Sequence, residues 1–117
     1  MLVGNYTKKI HILETDWPVE CNGTTLAAGE SPPELSEKSI PLSPEGQIQW
    51  VGNLTDVVRN VPNGLGQGIS YWEGAWLNFS SLGNGGCDDL LLFDQVYSDT
   101  EPNYIGYSRK SVNIFKY

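Results

Sequence analysis

Basic residues are scarce in this chain. Only 7 lysines and arginines stand against 14 aspartates and glutamates among 117 residues, a formal net charge of −7. With so few cations and no basic cluster, neither nucleic acid nor an anionic membrane surface is an expected partner. Long apolar runs are missing too, since nothing approaches the roughly 20 residues a membrane helix needs. The N-terminus lacks the charged and then hydrophobic segments of a signal peptide. Met1 leads into Leu2-Val3-Gly4, which reads like the middle of a protein and predicts an incomplete chain. Cysteine is limited to Cys21 and Cys87. Their spacing is unlike any zinc pattern, and the pair is compatible with one disulfide without requiring it. Asp88 and Asp89 lack the regular spacing of oxygen ligands that calcium takes, so an acidic solvated loop is expected there. No metal or cofactor is predicted. No internal repeat or low-complexity segment is present.

What the chain does have is four glycosylation sequons, beginning at Asn5, Asn22, Asn53 and Asn78. That density in so short a chain leans toward a secreted protein. The length suits one ordinary domain, 1–117, with a modest core.

The most informative stretch is Ile10-His11-Ile12-Leu13-Glu14-Thr15-Asp16-Trp17-Pro18. A short apolar run bounded by Lys8 and Lys9 predicts a buried strand over 8–14, of the kind found in parallel sheets covered on both faces. Pro18 cannot donate to a ladder, so the strand has ended by then. A glycine-, proline- and serine-rich loop is expected over 19–41. Ser43-Pro44-Glu45 then marks a helix start, with an N-cap, proline in the first turn and an acid near the positive end. Ile48, Val51, Leu54, Val57, Val58 and Val61 give that helix an apolar face flanked by Trp50, and Pro62-Asn63-Gly64 stops it. A second strand is expected over 65–72, leading into Glu73, and a second long loop over 74–88. The run 90–93 is either a strand or a packed loop segment. A last helix is predicted over 108–115, capped by Ser108.

Strand, loop, helix, strand, loop, helix makes a βαβα unit, which predicts an α/β fold with parallel strands. Each strand runs into a glutamate, and each glutamate has tryptophan near it: Trp17 by Glu14, and Trp72 and Trp76 about Glu73. Carboxylates at the C-terminal ends of parallel strands are well placed for chemistry. Flat aromatic faces beside them suit the C–H faces of sugar rings. The plainer alternative is that the tryptophans are packing residues and the glutamates only end strands. His11 alternates away from Glu14, which predicts a core histidine facing the helices.

Leu13-Glu14-Thr15-Asp16-Trp17-Pro18 with Cys21, and Gly64-Leu65-Gly66 leading to Tyr71-Trp72-Glu73-Gly74-Ala75-Trp76, resemble the endo-β-1,4-galactanases of glycoside hydrolase family 53 in their fungal form. Ile40-Pro41-Leu42-Ser43 with Gly46-Gln47, and Gly86-Cys87-Asp88-Asp89-Leu90, fit the same pattern, and the resemblance thins beyond Asp89. It implies the C-terminal part of a (β/α)8 TIM barrel, namely strands seven and eight with their helices. It implies hydrolysis of β-1,4-galactan, the side chain of type I arabinogalactan in pectin, by a retaining mechanism with two carboxyls. Glu14 would be the nucleophile. Trp72, Glu73, Trp17, Trp76 and Asp16 would shape the sugar site, with Trp17 and Trp76 on the cleft wall. Cys21 and Cys87 would form a disulfide between the two loops. The family's acid/base follows an asparagine on strand four, and no asparagine–glutamate pair occurs here, so the chain alone would be inactive. Gly74 and Asp16 depart from the family's usual proline and asparagine. The full-length enzyme would be an extracellular monomer. The rival expectation is a small secreted protein that binds galactan without cutting it.

Overall fold

A computed structural model describes residues 7–19, 39–72, 74–75, 90–100 and 104–116. Strand β1, Ile10–Thr15, is followed by helix α1, Pro44–Arg59, and by strand β2, Gly66–Tyr71. β1 and β2 pair in parallel, as the strand–helix–strand order predicts. Strands β3, Phe93–Tyr97, and β4, Tyr104–Ser108, then form a separate antiparallel pair. A short 3-10 turn, Lys110–Asn113, follows.

Helix α1 starts where its sequence says it should. Ser43 is extended, and its hydroxyl accepts the Gly46 amide at 3.1 Å, with Pro44 and Glu45 in the first turn. Its C-terminus is closed by Asn60 amides reaching back to Asp56 and by Asn63 in the left-handed region at φ 62°. The face turned inward carries Gln47, Val51 and Val58. Val51 joins Leu92 and Ile114 in the core, with Ile48, Trp50, Ile69, Tyr71 and Phe93 packed around them. Burying a side chain such as Val51 or Ile114 fully contributes roughly 1.5–3 kcal/mol. Val57, expected on this face, is 64% exposed and lies on the solvent side.

Two further expectations change, and one left open is decided. β1 is not buried on both faces: α1 reaches it through the Trp50 indole on Thr15, and Leu13 is 78% exposed. The predicted terminal helix is absent. Ser108 is consumed as the last residue of β4, paired with Phe93, and no side chain caps the 3-10 turn that follows. The run 90–93 is mostly a packed segment, with only Phe93 entering a strand. It is anchored by Leu92 N–H to the Gly74 carbonyl at 2.8 Å and by Arg109 N–H to the Leu92 carbonyl at 2.9 Å. The Arg109 guanidinium adds bonds to the Leu91 carbonyl and the Asp94 carboxylate, both at 2.7 Å.

Candidate active site

The strand register decides where Glu14 is aimed. Ile12 pairs with Ile69 and Thr15 with Tyr71, so β1 carries one more residue than β2 over this interval. Ile69 and Tyr71 pack against the core beneath α1. Thr15 shares their face, because its hydroxyl accepts the Trp50 indole N–H of α1 at 2.8 Å. Neighbouring residues of a strand point to opposite faces. Glu14 therefore faces away from the helix, and it is exposed. Bulges of this kind re-aim side chains beside functional sites.

The same bulge corrects the expectation for His11. Strict alternation separates His11 from Glu14, but the extra residue shifts the phase between them. His11 is exposed, and its Nε2 lies 3.0 Å from the Ser70 hydroxyl, on the face opposite Ile69 and Tyr71. It is neither buried nor turned toward the helix.

The chain leaving Glu14 is held from below by side chains of α1 and β2. Trp17 is only 3% exposed and so is closed to a ligand here, which corrects its expected place on the cleft wall. Its ring stacks on Trp50 with centroids 4.9 Å apart, and its indole N–H donates to the Pro41 carbonyl at 2.9 Å. That carbonyl comes so close to α1 that a Cβ on Gly46 would sit 1.7 Å from its oxygen, which requires glycine there. Gln47, fully buried, turns its amide nitrogen to the Trp17 carbonyl at 3.0 Å, the Tyr71 hydroxyl at 3.2 Å, and the Leu90 and Leu91 carbonyls at 3.1 Å each. Its amide oxygen accepts the buried Ser111 hydroxyl. Tyr71 donates to the Leu90 carbonyl at 2.8 Å and receives the Trp17 amide at 3.3 Å. Burial pushes the Tyr71 phenol well above its ordinary value; the Trp17 amide opposes that rise and the Asp16 carboxylate adds to it. The group is thus a fixed neutral bridge between the two strand ends.

Of the expected site residues, the structure brings together Glu14, Asp16, Trp17 and Trp72. Trp72 follows β2, its amide donates to the Thr15 carbonyl at 2.8 Å, and its side chain is 46% exposed. An outward carboxylate and an open indole therefore stand at the same end of the parallel pair, where they can hold hydroxyls and the apolar face of a sugar. Asp16 is half-buried. Glu73, Trp76, Cys21, Cys87, Asn5, Asn22 and Asn78 lie outside the described residues. Asn53 is exposed on α1. Sequence reasoning missed Gln47, Tyr71 and Ser111 as the support of the site. One signal was available: Gln47 stands one turn before Val51, a polar residue on the apolar face of α1.

Comparison with known proteins identifies the source of this arrangement. The profile of glycosyl hydrolase family 53 matches residues 1–115. The chain belongs to glycosyl hydrolase family 53. Among curated family proteins, arabinogalactan endo-beta-1,4-galactanase A of Emericella nidulans is 41% identical over 93 residues, which is 80% of this chain and 24% of that protein. Arabinogalactan endo-beta-1,4-galactanase A of Aspergillus niger is 40% identical over 88 residues, covering 75% of this chain and 23% of that one. The Thermothelomyces thermophilus galactanase is 36% identical over 90 residues, covering 77% and 25%. A solved structure from a study of two fungal beta-1,4-galactanases superposes on this family 53 chain with a TM-score of 0.71 and 29% identity, over 98% of this chain and 30% of that one. The chain spans about a quarter of the length of the curated relatives it matches.

Proposed function

We propose that these residues form the seventh and eighth strands of a (β/α)8 barrel that hydrolyses β-1,4-galactan, the side chain of type I arabinogalactan in pectin. The observation that carries this reading is the bulge that turns Glu14 out of the helix face, at the same strand end as the exposed Trp72. Glu14 is the nucleophile of a retaining reaction. Its carboxylate attacks the anomeric carbon as the glycosidic bond breaks, and the departing oxygen takes a proton from a second carboxyl about 5 Å away. Water then cleaves the glycosyl ester, with that second carboxyl as base. The second carboxyl comes from barrel strands outside these 117 residues, so this segment alone does not turn over. Trp72 is the floor under a galactosyl ring, while Asp16, Glu73 and Trp76 complete the sugar site. Trp17 serves by fixing the strand end. A polymeric substrate of this kind is met outside the cell, so the enzyme is read as secreted. It needs no metal or cofactor, and the barrel works as a monomer.

The test compares two proteins on β-1,4-galactan by release of reducing sugar. The 117-residue chain is expected to release none. The same chain, substituted for the 93-residue region it matches in the Emericella nidulans enzyme, is expected to restore hydrolysis. Glu14→Gln in that hybrid should remove activity by orders of magnitude. A hybrid indifferent to Glu14→Gln overturns the nucleophile assignment. Turnover by the 117-residue chain that Glu14→Gln abolishes overturns the need for a carboxyl from elsewhere. Binding without cleavage by the hybrid favours a carbohydrate-binding role.

A further inference from the structure

Two features of the outer face of α1 are not accounted for by hydrolysis. Asn53 opens the triplet Asn53-Leu54-Thr55, and its side chain is exposed. One turn later Val57 stands 64% exposed, an apolar side chain left in water on a helix whose other valines are buried. Residues four apart on a helix are surface neighbours, with Cβ atoms about 5–6 Å apart. The surrounding surface is open, since a Cβ placed on Gly52 would meet nothing within 4 Å.

We infer that Asn53 carries an N-linked glycan whose first N-acetylhexosamine lies over Val57. The inference rests on the secreted reading above. In the transfer, the Asn53 Nδ2 forms a bond to C1 of an oligosaccharide carried on a lipid diphosphate. The bond from C1 to the diphosphate oxygen breaks, the lipid diphosphate departs, and Nδ2 loses a proton. Asn53 and Thr55 point to different sides of a formed helix, because residues two apart do not face each other. The triplet is therefore read before α1 folds. Folding then leaves the sugar on the solvent side, opposite Gln47 and Val51, so the core tolerates it. The N-acetyl methyl and the C–H face of the first sugar supply the apolar cover that Val57 lacks among the described residues.

The chain is produced in a yeast with a secretory leader, and Asn53 occupancy is read by peptide mass spectrometry before and after amidase treatment. Because the host supplies the secretory targeting, an unmodified Asn53 counts against the site and not against the secreted reading; the latter is tested by where the natural protein is found. Occupied Asn53, lost in both Asn53→Gln and Thr55→Ala, is the expected result, and the second variant keeps the asparagine itself. An unmodified Asn53 in secreted chain overturns the proposal. Amidase treatment is further expected to raise binding of a hydrophobic dye, and Val57→Thr to abolish that rise. An occupied Asn53 with no Val57-dependent change in dye binding overturns the covering of Val57.

Discussion

Gln47 reaches four oxygens with one amide nitrogen that carries only two protons, so its bonds to Trp17, Tyr71, Leu90 and Leu91 are shared rather than separate. The amide oxygen is satisfied from the other side by Ser111. Buried polar networks of this kind are costly to break, because each partner left behind loses its hydrogen bond without regaining water. Gln47→Leu keeps the approximate volume and removes every one of these bonds. A loss of about 3 kcal/mol is expected, read as a lower urea midpoint at unchanged slope. A change under about 0.5 kcal/mol would mean that the carbonyls of Trp17 and Leu91 find water instead. Glu14 stands out in the sequence because a carboxylate closing an apolar run is conspicuous. Its direction does not, because one extra residue in β1 reverses the alternation and leaves no mark in composition. Trp17 misled for a related reason: indole serves equally well as a sugar platform and as a packing block, and only its partners, Trp50 and the Pro41 carbonyl, distinguish the two.

Among the elements, α1 was the most readable and the C-terminal part the least. Its start depends on local chemistry that sequence displays directly: a capping hydroxyl, a proline and an acid in consecutive positions. Ser43→Ala removes the acceptor for the Gly46 amide and is expected to cost about 1 kcal/mol, with Ser43→Thr restoring most of it in the same thermal unfolding assay. An equal loss in Ser43→Thr would assign the effect to packing near Pro41 and not to the cap. The β3–β4 hairpin was missed although its signals were present. Aromatic and β-branched residues flank a cluster of serine, aspartate, threonine, proline and asparagine over 98–103, which is a hairpin pattern. The run 90–93 left strand and packed segment open, because leucines that pack beneath a connection and leucines that pair in a sheet look alike. Ser108 was likewise ambiguous. A serine before polar and apolar residues suits a helix cap, but pairing with Phe93 and the Arg109 anchor keep the backbone extended.

Parallel order and right choice of family followed from the alternation of elements and from the residues at the two strand ends, but the exposure of the sheet face away from α1 is visible only in three dimensions. β1 has a single described strand neighbour, β2, and α1 covers only one side of the pair. On the other side stand His11, Leu13, Glu14, Ser70 and Trp72, all exposed. A two-stranded sheet is marginal in water without cover on a hydrophobic face. The local opening of β1 should therefore require less free energy than that of α1, whose inner face holds Val51 and Val58. Amide hydrogen exchange on the 117-residue chain is expected to show slow exchange from Val51 to Val58, intermediate exchange in β2 and the fastest of the three in β1. In the hybrid with the Emericella nidulans barrel, protection in β1 should rise at least about tenfold, which corresponds to about 1.4 kcal/mol of added local stability, while protection in α1 changes less. Equal protection of β1 and α1 in the 117-residue chain would show that the sheet is held by contacts other than α1.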